Sequence, residues 1–236
     1  IHALPAWLVV RQAFQNHPRA DGSLAWYPPG FVLSGLAVLT TVLFAAAAIA
    51  IWGAGGTLTE TISANLEQTL TSIMPSVPIA HRQALLAGII PYFPGLVGVA
   101  WIITTAINGT LAQALLKRTG KNLRPSPYFA DLDAPDWLSW AIAASAVVAL
   151  IGPGDLGYVG RNVVMILAVP YFFMGLSVVH ALARRLNFPG TFLAAFYLVL
   201  IISVWIAVLV ACVGAIEHWL GLRHRFAVPD TDEEEE

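Results

Sequence analysis

Asp155 stands in the string Gly152-Pro-Gly-Asp155, a setting in which intramembrane aspartyl proteases hold one of two carboxylates. Two such groups share one proton to activate water, so the chemistry needs a second Asp inside another apolar segment. No other apolar run of this chain supplies one, and the string reads as a Gly-Pro turn at a helix end with an acid beside it. Ser177 and His180 lie three residues apart, on one face of a helix. A nucleophile and its base also need an oxyanion hole. Neither a Gly-x-Ser-x-Gly elbow nor a His-Glu-x-x-His zinc motif occurs in the chain. A Ser bonded to its own helix and an interfacial His are the expected roles. Cys212 is the one cysteine; it lies deep in an apolar run without the Cys or His company a metal needs.

Three further groups of residues interrupt the apolar runs. Thr104, Thr105 and Asn108 sit within one helical turn of each other. Such polar groups join membrane helices through hydrogen bonds of about 1 kcal/mol, with ligand contact as the alternative. Pro91, Tyr92, Phe93, Pro94 and Gly95 must kink or break a helix, because proline lacks the N–H that continues it. Breaks of this kind expose backbone groups at transporter binding sites and are also ordinary kinks. Asp155, Arg161 and Asn162 bracket what reads as a short loop carrying a near-neutral pair. If the chain binds a small molecule, its contacts are expected among Pro91, Tyr92, Pro94, Thr105, Asn108, Asp155, Arg161 and Asn162. No catalytic residue, metal ligand or cofactor site is expected, and the chain reads as a non-enzyme.

The elements that position these residues are those of an all-α membrane protein. Of 236 residues, 58% are hydrophobic and 11% charged, whereas a soluble domain carries about 25% charged residues. Asp, Glu, Lys and Arg are absent from 22–59, 83–116, 137–154, 162–183 and 186–216. Crossing a bilayer takes roughly 20 apolar residues. These runs predict a bundle of about five transmembrane helices, at 31–52, 95–116, 137–151, 162–183 and 191–215. The approach to the first, Trp26-Tyr-Pro-Pro-Gly30, has aromatics at headgroup depth and prolines where helix N–H groups are free. Between the first two spans, Leu58, Ile62, Leu66, Leu70 and Met74 recur every four residues among polar neighbours, predicting one amphipathic helix over 57–77. That helix is expected against the bundle or on the outer surface. The apolar runs lack the alternation of transmembrane strands. Residues 1–225 read as a single polytopic transmembrane domain and 226–236 as an acidic disordered tail. The opening ten residues are too short to span and lack the basic start of a signal peptide, so they read as the end of an earlier helix.

Charge gives orientation and partners. The formal charge is −2, with four of the acids in the last four residues. No basic stripe with interleaved aromatics is present, which argues against nucleic acid. Arg11, Arg19, Lys117, Arg118, Lys121, Arg124, Arg184 and Arg185 fall in one set of loops, and Arg82, Arg161, Arg223 and Arg225 in the other. The positive-inside rule then places 117–136 in the cytoplasm, and five crossings put the C-terminus outside, unless the third segment is re-entrant. An excess of Arg over Lys fits a GC-rich bacterial genome, and a bacterial cytoplasmic membrane is the expected location. Ala141-x-x-x-Ser145 and the alanines at 45–48 are small faces suited to helix packing or a partner helix.

Several strings, taken in order, carry a resemblance. They are Trp26-Tyr-Pro-Pro-Gly30, Ile107-Asn-Gly-Thr-Leu-Ala-Gln113, Leu123-Arg-Pro-Ser-Pro127, Tyr171-Phe-Phe-Met-Gly-Leu-Ser-Val-Val-His-Ala-Leu-Ala-Arg184 and Gly214-Ala-Ile-Glu-His-Trp-Leu-Gly-Leu-Arg-His-Arg225. Together they resemble the YybS-like family of predicted bacterial integral membrane proteins, which have a domain of unknown function. The resemblance covers nearly the whole chain. That family's organisation is similar to the S-components of energy-coupling-factor vitamin transporters, six-helix bundles with a ligand pocket near the outer side. The resemblance implies a small-molecule binding or transport component, with a pocket near the Pro91–Gly95 break, the 57–77 helix and the 155–162 segment. The alternative is a non-catalytic membrane scaffold or accessory subunit, which implies a tightly packed bundle and a flat face of small residues. The absence of charges inside the spans argues against an ion-coupled pump. The expected partners are the lipid bilayer and other membrane subunits.

Overall fold

The computed structural model describes residues 3–20, 22–127, 129 and 132–220. Helix α1 (Ala3–Ala13) leads through an antiparallel hairpin of β1 (Asn16–Pro18) and β2 (Leu24–Trp26) into α2 (Pro29–Gly53). Then come α3 (Leu58–Ile73), α4 (Ile79–Ile89), a 3-10 turn at Ile90–Tyr92 and α5 (Phe93–Arg118). The remainder is α6 (Trp137–Ile151), α7 (Asp155–Leu167), α8 (Val169–Ala183), α9 (Pro189–Ile202) and α10 (Val204–Leu220). Three helical runs, Pro29–Gly53, Ile79–Arg118 and Asp155–Ala183, are long and apolar enough to cross a membrane, and the bent pair α9–α10 makes a fourth if counted as one span. The chain is an all-α membrane protein.

Proline placement explains how these runs form. Pro29 opens α2, and Pro170 falls in the first turn of α8, where a missing N–H costs nothing. Helices α2, α5, α7 and α8 converge on a core in which Leu36, Ala37, Ile102, Ile166 and Met174 are almost wholly buried. In lipid, apolar burial does not by itself drive helices together; close contact through small residues does. Gly98 of α5 faces Thr40 and Ile166, and a Cβ there would lie 2.9 Å from each side chain. Gly160 of α7 rests on the backbone of Ala149 in α6. Gly175 of α8 faces the Val210 carbonyl, and Gly214 of α10 faces the Tyr171 carbonyl, so α8 and α10 run antiparallel in backbone contact.

Several sequence expectations are corrected by this arrangement. Residues 155–162 are not a loop but the first two turns of α7. Gly154 supplies the turn at φ +52, and Asp155 places its charge in the first helical turn, where the free N–H groups favour it. The helix predicted over 57–77 ends at Ile73. Met74 precedes Pro75 and takes φ −127 and ψ 62, since a residue before proline is steered away from helix. The prolines at 91 and 94 do interrupt the helix, through one 3-10 turn, but the apolar run extends back to Ile79 and does not begin at 95. The segment 191–215 is not a single rod. Ser203 is extended, and α9 and α10 meet at 117°. His218 lies 3.4 Å from both Asp133 and Asp136, so α10 ends beside the segment that leads into α6, not opposite it as five crossings required. The hairpin β1–β2 has no counterpart in the sequence reading. The expected acidic tail, 226–236, lies outside the described residues.

Candidate functional site

The helix break at Pro91–Gly95 is where most of the candidate residues meet. In a regular helix the Gly95 N–H would donate to the Pro91 carbonyl. Here it donates to Asn162 Oδ1 at 2.7 Å, while Asn162 Nδ2 donates to the Pro91 carbonyl at 3.1 Å. The carboxamide stands in for the missing backbone bond. Asn162 Nδ2 also donates to the Tyr158 carbonyl at 2.8 Å, and the residue is completely buried. Pro94 has no N–H to offer the Ile90 carbonyl, and the Tyr158 hydroxyl donates there instead at 2.7 Å. One face of α7 thus repairs both defects that the prolines create. Gly95 is closely packed against α7: a Cβ on it would lie 2.9 Å from Asn162 Oδ1 and 3.1 Å from Met165 Sδ.

Asp155 binds a different partner from the one expected. It accepts hydrogen bonds from Trp52 Nε1 at 2.8 Å, from the Leu58 N–H at 2.8 Å and from the Thr59 hydroxyl at 3.5 Å. The Leu58 N–H belongs to the first turn of α3, so this carboxylate satisfies a free donor at a helix start and ties α2, α3 and α7 together. Leu58, Ala48 and Tyr158 form a small apolar cluster beneath it. Arg161 points elsewhere on α7 and is exposed, so the predicted Asp155–Arg161 pair does not form.

The remaining candidates stay apart from this centre. Tyr92 is 45% exposed. The Thr105 hydroxyl donates to the Trp101 carbonyl of its own helix at 2.8 Å. Thr104 and Asn108 are exposed on the outer side of α5, and Asn108 has no hydrogen-bond partner among the described residues. Ser177 donates to the Met174 carbonyl at 2.7 Å, the back-bonding expected of it, and His180 Nδ1 pairs with the Leu176 carbonyl at 2.8 Å.

Two groups escaped the sequence reading. His218 contacts Asp133 and Asp136 and stacks edge-on against Tyr171, whose hydroxyl shares a 2.6 Å hydrogen bond with Ser139. Asp136, Ser139, Trp140, His218 and Trp219 line an open cavity of about 250 Å³ there. Arg124 donates to the Ala13 carbonyl at 2.9 Å and the Tyr27 carbonyl at 2.8 Å and lies over the Trp26 ring, pinning its loop to α1 and the hairpin. Burial pushes this guanidinium below its ordinary pKa. A wider cavity of about 420 Å³ opens beside the hairpin, among Gln15, His17, Arg19 and Tyr27.

Residues 28–217 match the family described as Predicted membrane protein (DUF2232), and the chain belongs to that family. No curated protein and no solved structure matches the chain.

Proposed function

We propose that this DUF2232 chain is a non-enzymatic subunit of a bacterial cytoplasmic-membrane assembly, acting through helix contact with another membrane polypeptide. The outer face of α5 carries the reading. Val97, Ala100, Thr104, Asn108, Leu111 and Leu115 follow one another at spacings of three and four, and all are exposed. Asn108 lies about 22 Å along α5 from its start, inside the hydrocarbon. A polar group left there without a partner costs on the order of several kcal/mol, so its carboxamide calls for hydrogen-bonding groups from a neighbouring helix.

Two observations agree. Three of the side chains singled out in the sequence are engaged in structural hydrogen bonds: Asp155 accepts from three donors, and Ser177 and His180 bond carbonyls of their own helix. The reading as a small-molecule transport component expects a pocket near the Pro91–Gly95 break, the 57–77 helix and the 155–162 segment, and close packing of Asn162 and Met165 against Gly95 leaves no room for one directly at that residue. Native mass spectrometry of the full-length protein, extracted gently from its own membrane, tests the proposal. A stable complex with a polypeptide and no stoichiometric small molecule is expected. A small molecule bound one-to-one and lost from Asn162→Leu would overturn it in favour of transport.

A further inference from the structure

We infer that the partner helix is supplied by a second copy of this chain, with α5 packed against α5 in a parallel two-fold contact centred on Asn108. This rests on the reading of α5 as a contact face and adds the identity of the partner.

A carboxamide is both donor and acceptor. Under two-fold symmetry the same residue faces itself, so Nδ2 of each Asn108 meets Oδ1 of the other and both groups are satisfied by one residue type. A protein with a different face would need its own polar residue at the same depth. Thr104 and Ala100, one and two turns away on the same exposed face, are small enough for two helix backbones to approach. Leu111 and Leu115, 62% and 64% exposed, flank the other side and would pack against their own copies. Charge also permits self-contact. No Asp, Glu, Lys or Arg occurs in α5 before Lys117 and Arg118, so identical faces bring no like charges together inside the hydrocarbon. The two basic residues lie at the helix end, where water and salt screen their repulsion. In a parallel pair both copies also keep the same orientation in the membrane.

The test places a photo-crosslinking residue, p-benzoylphenylalanine, at Leu111 of the full-length protein in its own membrane, with Asn108 intact. The expected product has twice the chain mass, and its crosslinked peptides both come from this chain, one from each of two isotope-labelled copies. Asn108→Leu is expected to cut that product at least about fivefold and Asn108→Gln to keep it; both changes sit on an outer face, and neither disturbs the core. The same crosslinker at Leu209, also exposed but on α10, should give little dimer. An adduct with a different polypeptide overturns self-contact while leaving the subunit reading standing. Adducts with lipid alone, or within one chain, overturn both. An equal dimer yield from Leu209 overturns the specific face.

Discussion

The Gly95 N–H donates to Asn162 Oδ1 at 2.7 Å in place of the Pro91 carbonyl that it would meet in a continuous helix. The same carboxamide returns a bond to Pro91, so a side chain from α7 is built into the ladder of the neighbouring helix. Removing it leaves a buried N–H and a buried carbonyl without partners, at about 1–3 kcal/mol for each group not recovered by local closure of the helix. Asn162→Leu, which keeps the branching but is larger, is expected to destabilise the protein by at least about that amount in denaturant unfolding from bicelles. An unchanged midpoint would mean that the Gly95–Pro91 bond re-forms directly and that Asn162 is dispensable.

Tyr158 works on the neighbouring defect, so the two residues should be coupled. Tyr158→Phe removes one hydroxyl from the Ile90 carbonyl and should cost about 0.5–1.5 kcal/mol. Because Asn162 also donates to the Tyr158 carbonyl, the double variant with Asn162→Leu should depart from additivity by about 0.5 kcal/mol or more. Strict additivity would show that the two repairs act independently.

Asp155 governs how α3 is held. Only Leu58 of α3 is fully buried, and the Asp155 carboxylate grips the same end. Asp155→Ala is expected to raise hydrogen exchange across 58–73 by tenfold or more while exchange in α2 and α5 changes little. Asp155→Asn retains an acceptor and should fall between the two. Exchange in α3 that is indifferent to both variants would place its anchoring elsewhere.

Most of the architecture was legible from where charges are missing, because the part of a membrane helix that faces lipid excludes them. The run 137–151 reappears as α6 to the residue, and the first span differs from α2 only at its ends. The four-residue spacing of Leu58, Ile62, Leu66 and Leu70 marked the inward side of α3. What went astray had a common cause. Asp155 and Arg161 are charged, and charge near a Gly-Pro turn reads as loop, yet Asp155 is a good residue for a helix start and Arg161 can extend to the interface. With 155–162 assigned to a loop, Tyr158 and Asn162 could not be recognised as a pair four apart on one helical face, although that spacing was the available signal. The break at Ser203 has no such signal; α10 lies along α8 through Gly175 and Gly214, whose partners are remote in sequence.

That contact can be tested directly. A Cβ at Gly175 would run into the Val210 carbonyl, and one at Gly214 into the Tyr171 carbonyl. Backbone cannot step aside as a side chain can, so Gly175→Ala or Gly214→Ala should each cost about 1–3 kcal/mol through overpacking. Since both act at one interface, the second change should add less than the first. If either alanine variant matched the parent protein in thermal stability, α8 and α10 would have to lie farther apart.

The contact of His218 with Asp133 and Asp136 makes a claim about sidedness that alternating spans would deny. These acids precede α6, in the same connection as Lys117, Arg118, Lys121 and Arg124, whose positive charge favours the cytoplasmic face. Because α10 folds back at Ser203 to lie along α8, its end should share that face. With Cys212→Ala as background, Trp219→Cys and Leu123→Cys are both at exposed positions, 71% and 78%, and should react with an impermeant maleimide only from the cytoplasmic side. Ile73→Cys, 67% exposed at the end of α3, should react only from the outside. Labelling of Trp219→Cys from the same side as Ile73→Cys would mean that residues 189–220 cross as one span, and that the contact between His218 and the two acids does not form in the membrane.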